Sequence, residues 1–271
     1  MASLSLEYRA EHSSPELHVF NILNDYLQPS STTPPSEAAQ SIHALTPKAA
    51  STQEDSSDLE GFLWSTWGSI IKVAKQIPYN HPSQDRLVDL IHALTKLPPR
   101  TVSIWGSENC LWEDLPMLGP TLRESWNDQA APTYTKASDQ EITEWINLQA
   151  FTARLCKSDR SLSLLGVWSL RSGLERELSD EELDGEVAAA AMWMVYGGEN
   201  LFSQLTHEVP DQETERMMRP GPLFSGLGQL SPERWQFWKL RFEDLSEQIQ
   251  VTDETKQVIR LAREKMERVQ Q

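Results

Sequence analysis

His81, Asp85, Asp89 and His92 come nearer to a metal site than any other group in this chain. On a helix opening at Ser83, Asp85 and Asp89 stand one turn apart and His92 follows three residues later. Two imidazoles and a carboxylate on one face could hold a divalent transition metal. Ordinary helix chemistry explains the same residues. A carboxylate in the first turn is favoured by the helix dipole, His81-Pro82 reads as a helix entry, and His92 flanks a core position. No metal and no cofactor are therefore expected. Ser69 and Lys72 have the spacing by which a lysine activates a serine, without the companion motifs of that enzyme class. Gly226-Leu-Gly228 approaches a dinucleotide fingerprint but lacks the third glycine and the preceding strand. Lys157 beside Cys156 could lower that thiol, although a buried structural cysteine is the expectation, and His207-Glu208 in an acidic loop has nothing nearby in sequence to position it. No catalytic residue can be assigned, and the reading leans away from an enzyme.

Ten tryptophans are the remaining chemical signal. Most should pack in the core, each indole N–H finding one acceptor. Some could instead line an apolar pocket between helices and hold a flat metabolite, with a neighbouring arginine fixing its polar end. Trp145, Trp168 and Trp235, with Arg154, Arg171 and Arg234 beside them in sequence, are the candidate ligand-binding residues.

The elements that would position these side chains are helical. Ser14 and Pro15 open a short amphipathic helix over 14–27, with Leu17, Phe20, Leu23 and Leu27 on its apolar face. Fifteen of the thirty residues from Gln28 to Ser57 are Ser, Thr or Pro. That composition predicts a flexible linker, with a helical turn or two over 36–45. From Asp58 onward, apolar residues recur at steps of three and four over 59–77, stopped by Pro78, and over 83–97, stopped by Pro98-Pro99. Residues 101–119 look irregular, with a brief extended stretch at Val102–Trp105. A short helix follows near 120–127. Ser138 with Glu141, and Ser179 with Glu182, are capping boxes that each start a helix. Gly197-Gly198 is expected to end the second at Tyr196. Another helical run covers 161–178. Trp235, Trp238, Phe242, Leu245 and Ile249, followed by a restart at Thr252, predict an antiparallel helical hairpin. No convincing strand pair appears. The expected fold is all-α, a multi-helix domain of about eight or nine helices over 58–271, behind a linker at 28–57 and a helix at 1–27.

Four blocks in this order resemble a fungal family of helical domains of unknown function. They are LWSTWGSIIKVAKQIPYNHPSQDRLVDLIHAL (63–94), LWEDLPMLGPTLRESW (111–126), WINLQAFTARL (145–155) and SPERWQFWKLRFEDL (231–245). The resemblance implies an α-helical domain without an established activity. It raises an accessory role near fungal secondary-metabolite genes, and it carries over no site residues.

Charge narrows the partners. The chain has 24 Lys and Arg against 40 Asp and Glu, a net of −16, so neither nucleic acid nor an anionic membrane would be attracted. Residues 171–216 alone hold twelve acids and three bases, a solvated face or a surface for a basic partner. Two cysteines in no CxxC arrangement exclude a disulfide scaffold. With no signal-peptide run at the start, the expected compartment is the cytosol, with nuclear access open. The expected function is a non-enzymatic interaction or ligand-binding module, whose partner is an unknown protein or a small apolar metabolite. The alternative is a cofactor-independent enzyme, or an accessory protein of fungal secondary-metabolite biosynthesis, acting on a small apolar substrate.

Overall fold

The computed structural model describes residues 3–8, 14–47, 53–130, 138–157 and 159–271. Among them are eleven α-helices and one two-stranded sheet, so the all-α expectation holds. The chain divides into two compact units, Met1–Ala131 and Pro132–Gln271.

The first unit contains α1 (Ser14–Leu27), α2 (Pro35–Ala44), α3 (Gln53–Gln76), α4 (Ser83–Thr95), β1 (Thr101–Ile104), β2 (Ser107–Cys110) and α5 (Leu118–Ala130). Helix α1 packs on α3, and α2 on α4. The buried face of α1 is Val19, Leu23, Tyr26 and Leu27, whereas Leu17 is exposed. The side chain of the expected cap, Ser14, lies outside the described residues. In the stretch whose composition suggested a linker, Pro34-Pro35 sets the entry to α2, and Ala38, Ala39 and Ile42 are buried. Three small or branched side chains on one face are enough to hold a ten-residue helix against a neighbour. Residues 48–52 of that stretch lie outside the described residues. Ser83 does not cap α4; its hydroxyl donates to the Leu27 carbonyl oxygen at 2.6 Å, tying α4 to the end of α1.

The hairpin of β1 and β2 corrects the expectation of irregular chain. Thr101 pairs with Cys110 and Ile104 with Ser107 in antiparallel register. Strands of four residues are too short for alternation to show, and the turn is Trp105-Gly106, which lacks the usual Asn-Gly signature.

The second unit contains α6 (Asp139–Leu155), a 3₁₀ turn (Arg160–Leu162), α7 (Ser163–Leu174), α8 (Asp180–Phe202), α9 (Gln212–Met217), α10 (Pro232–Ser246) and α11 (Asp253–Arg268). Helix α8 is its axis, packed against α6, α7 and α11. It runs parallel to α6: Gln149 meets Trp193 and Cys156 meets Asn200, 44 residues apart each time. Both expected capping boxes are formed, at Ser138/Glu141 and Ser179/Glu182. Gly197-Gly198 does not end α8, which continues to Phe202. A Cβ on Gly197 would stand 3.1 Å from the Ala153 carbonyl oxygen, so this glycine serves close approach to α6 rather than a C-cap. The final pair, α10 and α11, is the expected antiparallel hairpin, with ion pairs Glu243–Arg263 and Lys239–Glu267 along it. No described helix is long and apolar enough to cross a membrane.

Candidate functional site

Three of the six candidate residues converge in the second unit. Glu175 follows α7 directly, and Arg234 and Trp238 stand one turn apart on α10, which packs against α7. The Glu175 and Arg234 side chains are fully buried. Arg234 donates Nε to Glu175 Oε1 at 2.7 Å and Nη2 to Oε2 at 3.0 Å, a two-point charged pair. Its Nη1 donates to the carbonyl oxygens of Met218 (2.8 Å) and Gln229 (3.2 Å). Trp238 Nε1 donates to Glu175 Oε1 and the Gly221 N–H to Oε2, both at 2.7 Å. A dry carboxylate is tolerable only with this density of donors. One turn earlier on α7, Arg171 Nη1 donates to the Arg219 carbonyl oxygen at 3.1 Å. Burial, followed by the nearby Arg234 charge, holds the Arg171 guanidinium below its ordinary range. Trp168 Nε1 reaches the Met217 carbonyl oxygen at 2.9 Å. Trp168, Arg171 and Arg234 thus share one task, fastening the segment from Met217 to Gln229.

The other three candidates lie elsewhere. Arg154 is buried on α6, with Nη1 donating to the Ala150 carbonyl oxygen and its guanidinium carbon 3.4 Å from the Tyr196 ring centroid. Trp235 is buried, edge-on to Phe202 at 5.2 Å. Trp145 is buried on α6. Between α6 and α8, Trp193 Nε1 donates to Gln149 Oε1 at 2.6 Å, while the buried Gln149 amide nitrogen has no hydrogen-bond partner among the described residues. Cys156 is buried, bonded by Asn200 Nδ2 at 2.9 Å and 3.3 Å from Ser163 Oγ. Burial pushes its thiol up, in keeping with a structural cysteine. Ser69 is buried and Lys72 is exposed. His81 Nδ1 accepts the Ser83 N–H within its own turn. Among the described residues, no three His, Cys, Asp or Glu side chains gather as metal ligands.

A feature that sequence reading missed sits in the first unit. At the hairpin tip Trp105 has φ 50° and Gly106 φ 76°, a two-residue turn with both φ positive. A bulky side chain in the left-handed region is strained, and Asn or Gly is the usual occupant. Trp105 is nevertheless 60% exposed. Its N–H donates to Glu60 Oε1 on α3 at 3.0 Å. Trp64, one turn further along α3, is 40% exposed. Helical side chains lean toward the N-terminus of their helix, the side on which Glu60 lies one turn before Trp64. Three more left-handed residues follow: Trp112, Leu115 and Met117. Trp112 and Met117 are buried; Trp112 Nε1 donates to His43 Nδ1 at 2.9 Å, and its ring lies edge-on to Trp67 at 5.7 Å. Packing accounts for these two, and not for Trp105.

Set against known proteins, residues 67–242 match a family model described as a protein of unknown function (DUF3632). No curated protein and no solved structure matches the chain.

Proposed function

The chain belongs to the DUF3632 family, which has no assigned activity, and from its geometry we propose that it is a non-enzymatic protein-interaction module. The observation that carries this reading is Trp105, a large apolar side chain held in a strained turn and left in water. A largely exposed aromatic in a strained backbone position is what a partner-binding residue looks like before its partner arrives. The arginines of the second unit support the same reading, because Arg234 is buried on Glu175 and two carbonyl oxygens and Arg171 donates to the Arg219 carbonyl oxygen. We place the module in the cytoplasm, with nuclear access, where the two unpaired thiols Cys110 and Cys156 would stay reduced. The acidic surface disfavours nucleic acid as its partner.

The second reading, a small-molecule carrier or cofactor-independent enzyme of fungal secondary metabolism, draws on one observation. The Gln149 amide nitrogen, buried beside Trp193 without an acceptor, would be satisfied by a polar atom of a bound ligand. Native mass spectrometry of the protein isolated gently from its own cells separates the two. The interaction module predicts a complex with another protein; a chain carrying only a small-molecule adduct overturns it.

A further inference from the structure

We propose that the Trp64–Trp105 face receives an arginine- or lysine-bearing segment of the partner protein. The inference rests on the interaction reading above and names the chemistry of what binds. Both indoles are exposed, Trp64 stands one turn after Glu60 on α3, and the Glu60 carboxylate accepts the backbone N–H of Trp105. An indole face attracts a cation through its ring quadrupole, and tryptophan does so best of the aromatic residues. The charges nearest the two tryptophans in sequence are acidic, with Arg100 and Lys72 standing just beyond these stretches. From Thr101 to Asp114 the chain carries Glu108, Glu113 and Asp114, all exposed, and no Lys, Arg or His. From Ser57 to Ile71, along α3, it carries Asp58 and Glu60 and again no basic residue. A cation arriving here meets carboxylates and aromatic faces together, whereas an acidic or purely apolar segment would leave those carboxylates uncompensated. A Cβ on Gly61, one turn before Trp64, would touch nothing within 4 Å. A partner side chain can therefore approach the α3 backbone closely beside the Trp64 ring.

The turn itself separates binding from folding. Trp105→Asn puts the preferred residue into a turn of positive φ and leaves the net charge unchanged, so it should fold at least as well as the natural chain. The test measures fluorescence anisotropy of a fluorescein-labelled peptide with six arginines in a Gly-Ser background, titrated with the full chain at physiological salt. The expected result is at least a tenfold weaker affinity for Trp105→Asn and for Trp64→Ala, and a several-fold weaker affinity for Glu60→Gln. Circular dichroism should stay unchanged throughout. Equal affinity of Trp105→Asn and the natural chain would mean that bulk negative charge alone holds the peptide, and would overturn the proposal. So would a concentration-dependent dimer lost in Trp105→Asn, which makes a second copy the occupant. Tetramethylammonium binding as tightly as the peptide would replace the protein partner with a small cation. If the peptide is indifferent to Trp105 while a native protein complex persists, only this inference falls. If no protein complex exists, the interaction reading falls whatever the peptide does.

Discussion

Glu175 gathers four N–H donors, from Arg234 Nε and Nη2, Trp238 Nε1 and Gly221, where water does not reach. Removing its charge strands a guanidinium in the interior. Glu175→Gln is therefore expected to lose about 3–5 kcal/mol in urea denaturation. Adding Arg234→Met to it should recover part of that loss, because no uncompensated charge is then left in the interior. Trp105→Asn moves the other way: relief of left-handed strain should stabilise the first unit by about 1 kcal/mol and raise Tm by a few degrees in a calorimetric scan. Arginines beside tryptophans stood out in the sequence, and Trp168, Arg171 and Arg234 do come together. Their common partner did not stand out. Glu175 lies 59 residues before Arg234, and no periodicity reports a contact at that distance. Trp105 was equally hidden, because a tryptophan in a hairpin turn contradicts the residue preference by which such turns are recognised.

Helices announce themselves through caps and apolar spacing, which is why both capping boxes and the α10–α11 hairpin were legible. Glycines inside helices were harder, because their meaning depends on the neighbour. A Cβ on Gly173 of α7 would stand 2.5 Å from the Glu186 carbonyl oxygen on α8, whereas one on Gly61 of α3 meets open space. Gly173→Ala should accordingly lower Tm sharply by forcing α7 off α8. Gly61→Ala should gain about 0.5–1 kcal/mol of helix stability, both read by thermal denaturation. At the start of α8, the hydrogen bond from Arg176 Nη2 at 2.9 Å, with those from the Ser179 backbone and hydroxyl, holds the Glu182 carboxyl below its ordinary 4.5. A carboxylate with a lowered folded pKa contributes stability above its unfolded pKa and loses it as pH falls through the folded value. Glu182→Gln should therefore lower Tm at neutral pH and show a shallower loss than the natural chain as pH drops below about 4.5.

At the scale of the whole molecule, the family match and the compact units have different borders. The match begins within α3 and ends within α10, so it omits α1 and α2 from one unit and α11 from the other. Val258, Ile259, Ala262 and Met266 of α11 are buried, and α11 lies along α8. A fragment of residues 67–242 should thus fail to melt cooperatively by circular dichroism, while residues 132–271 should retain a cooperative transition. Composition hid α2, because three alanines inside a Ser/Thr/Pro-rich stretch give too weak a signal to show that the helix buries a face. The parallel order of α6 and α8, with α11 on another side of the same axis, also sets a sequence of events during translation. The ribosome delivers α6, α7 and α8 in turn, and each can settle on those before it. The helix that covers the flank of α8 around Gly198 is made after them. Until it clears the exit tunnel that flank is sticky, and a nascent chain stalled after α10 is a natural client for the chaperones that wait there.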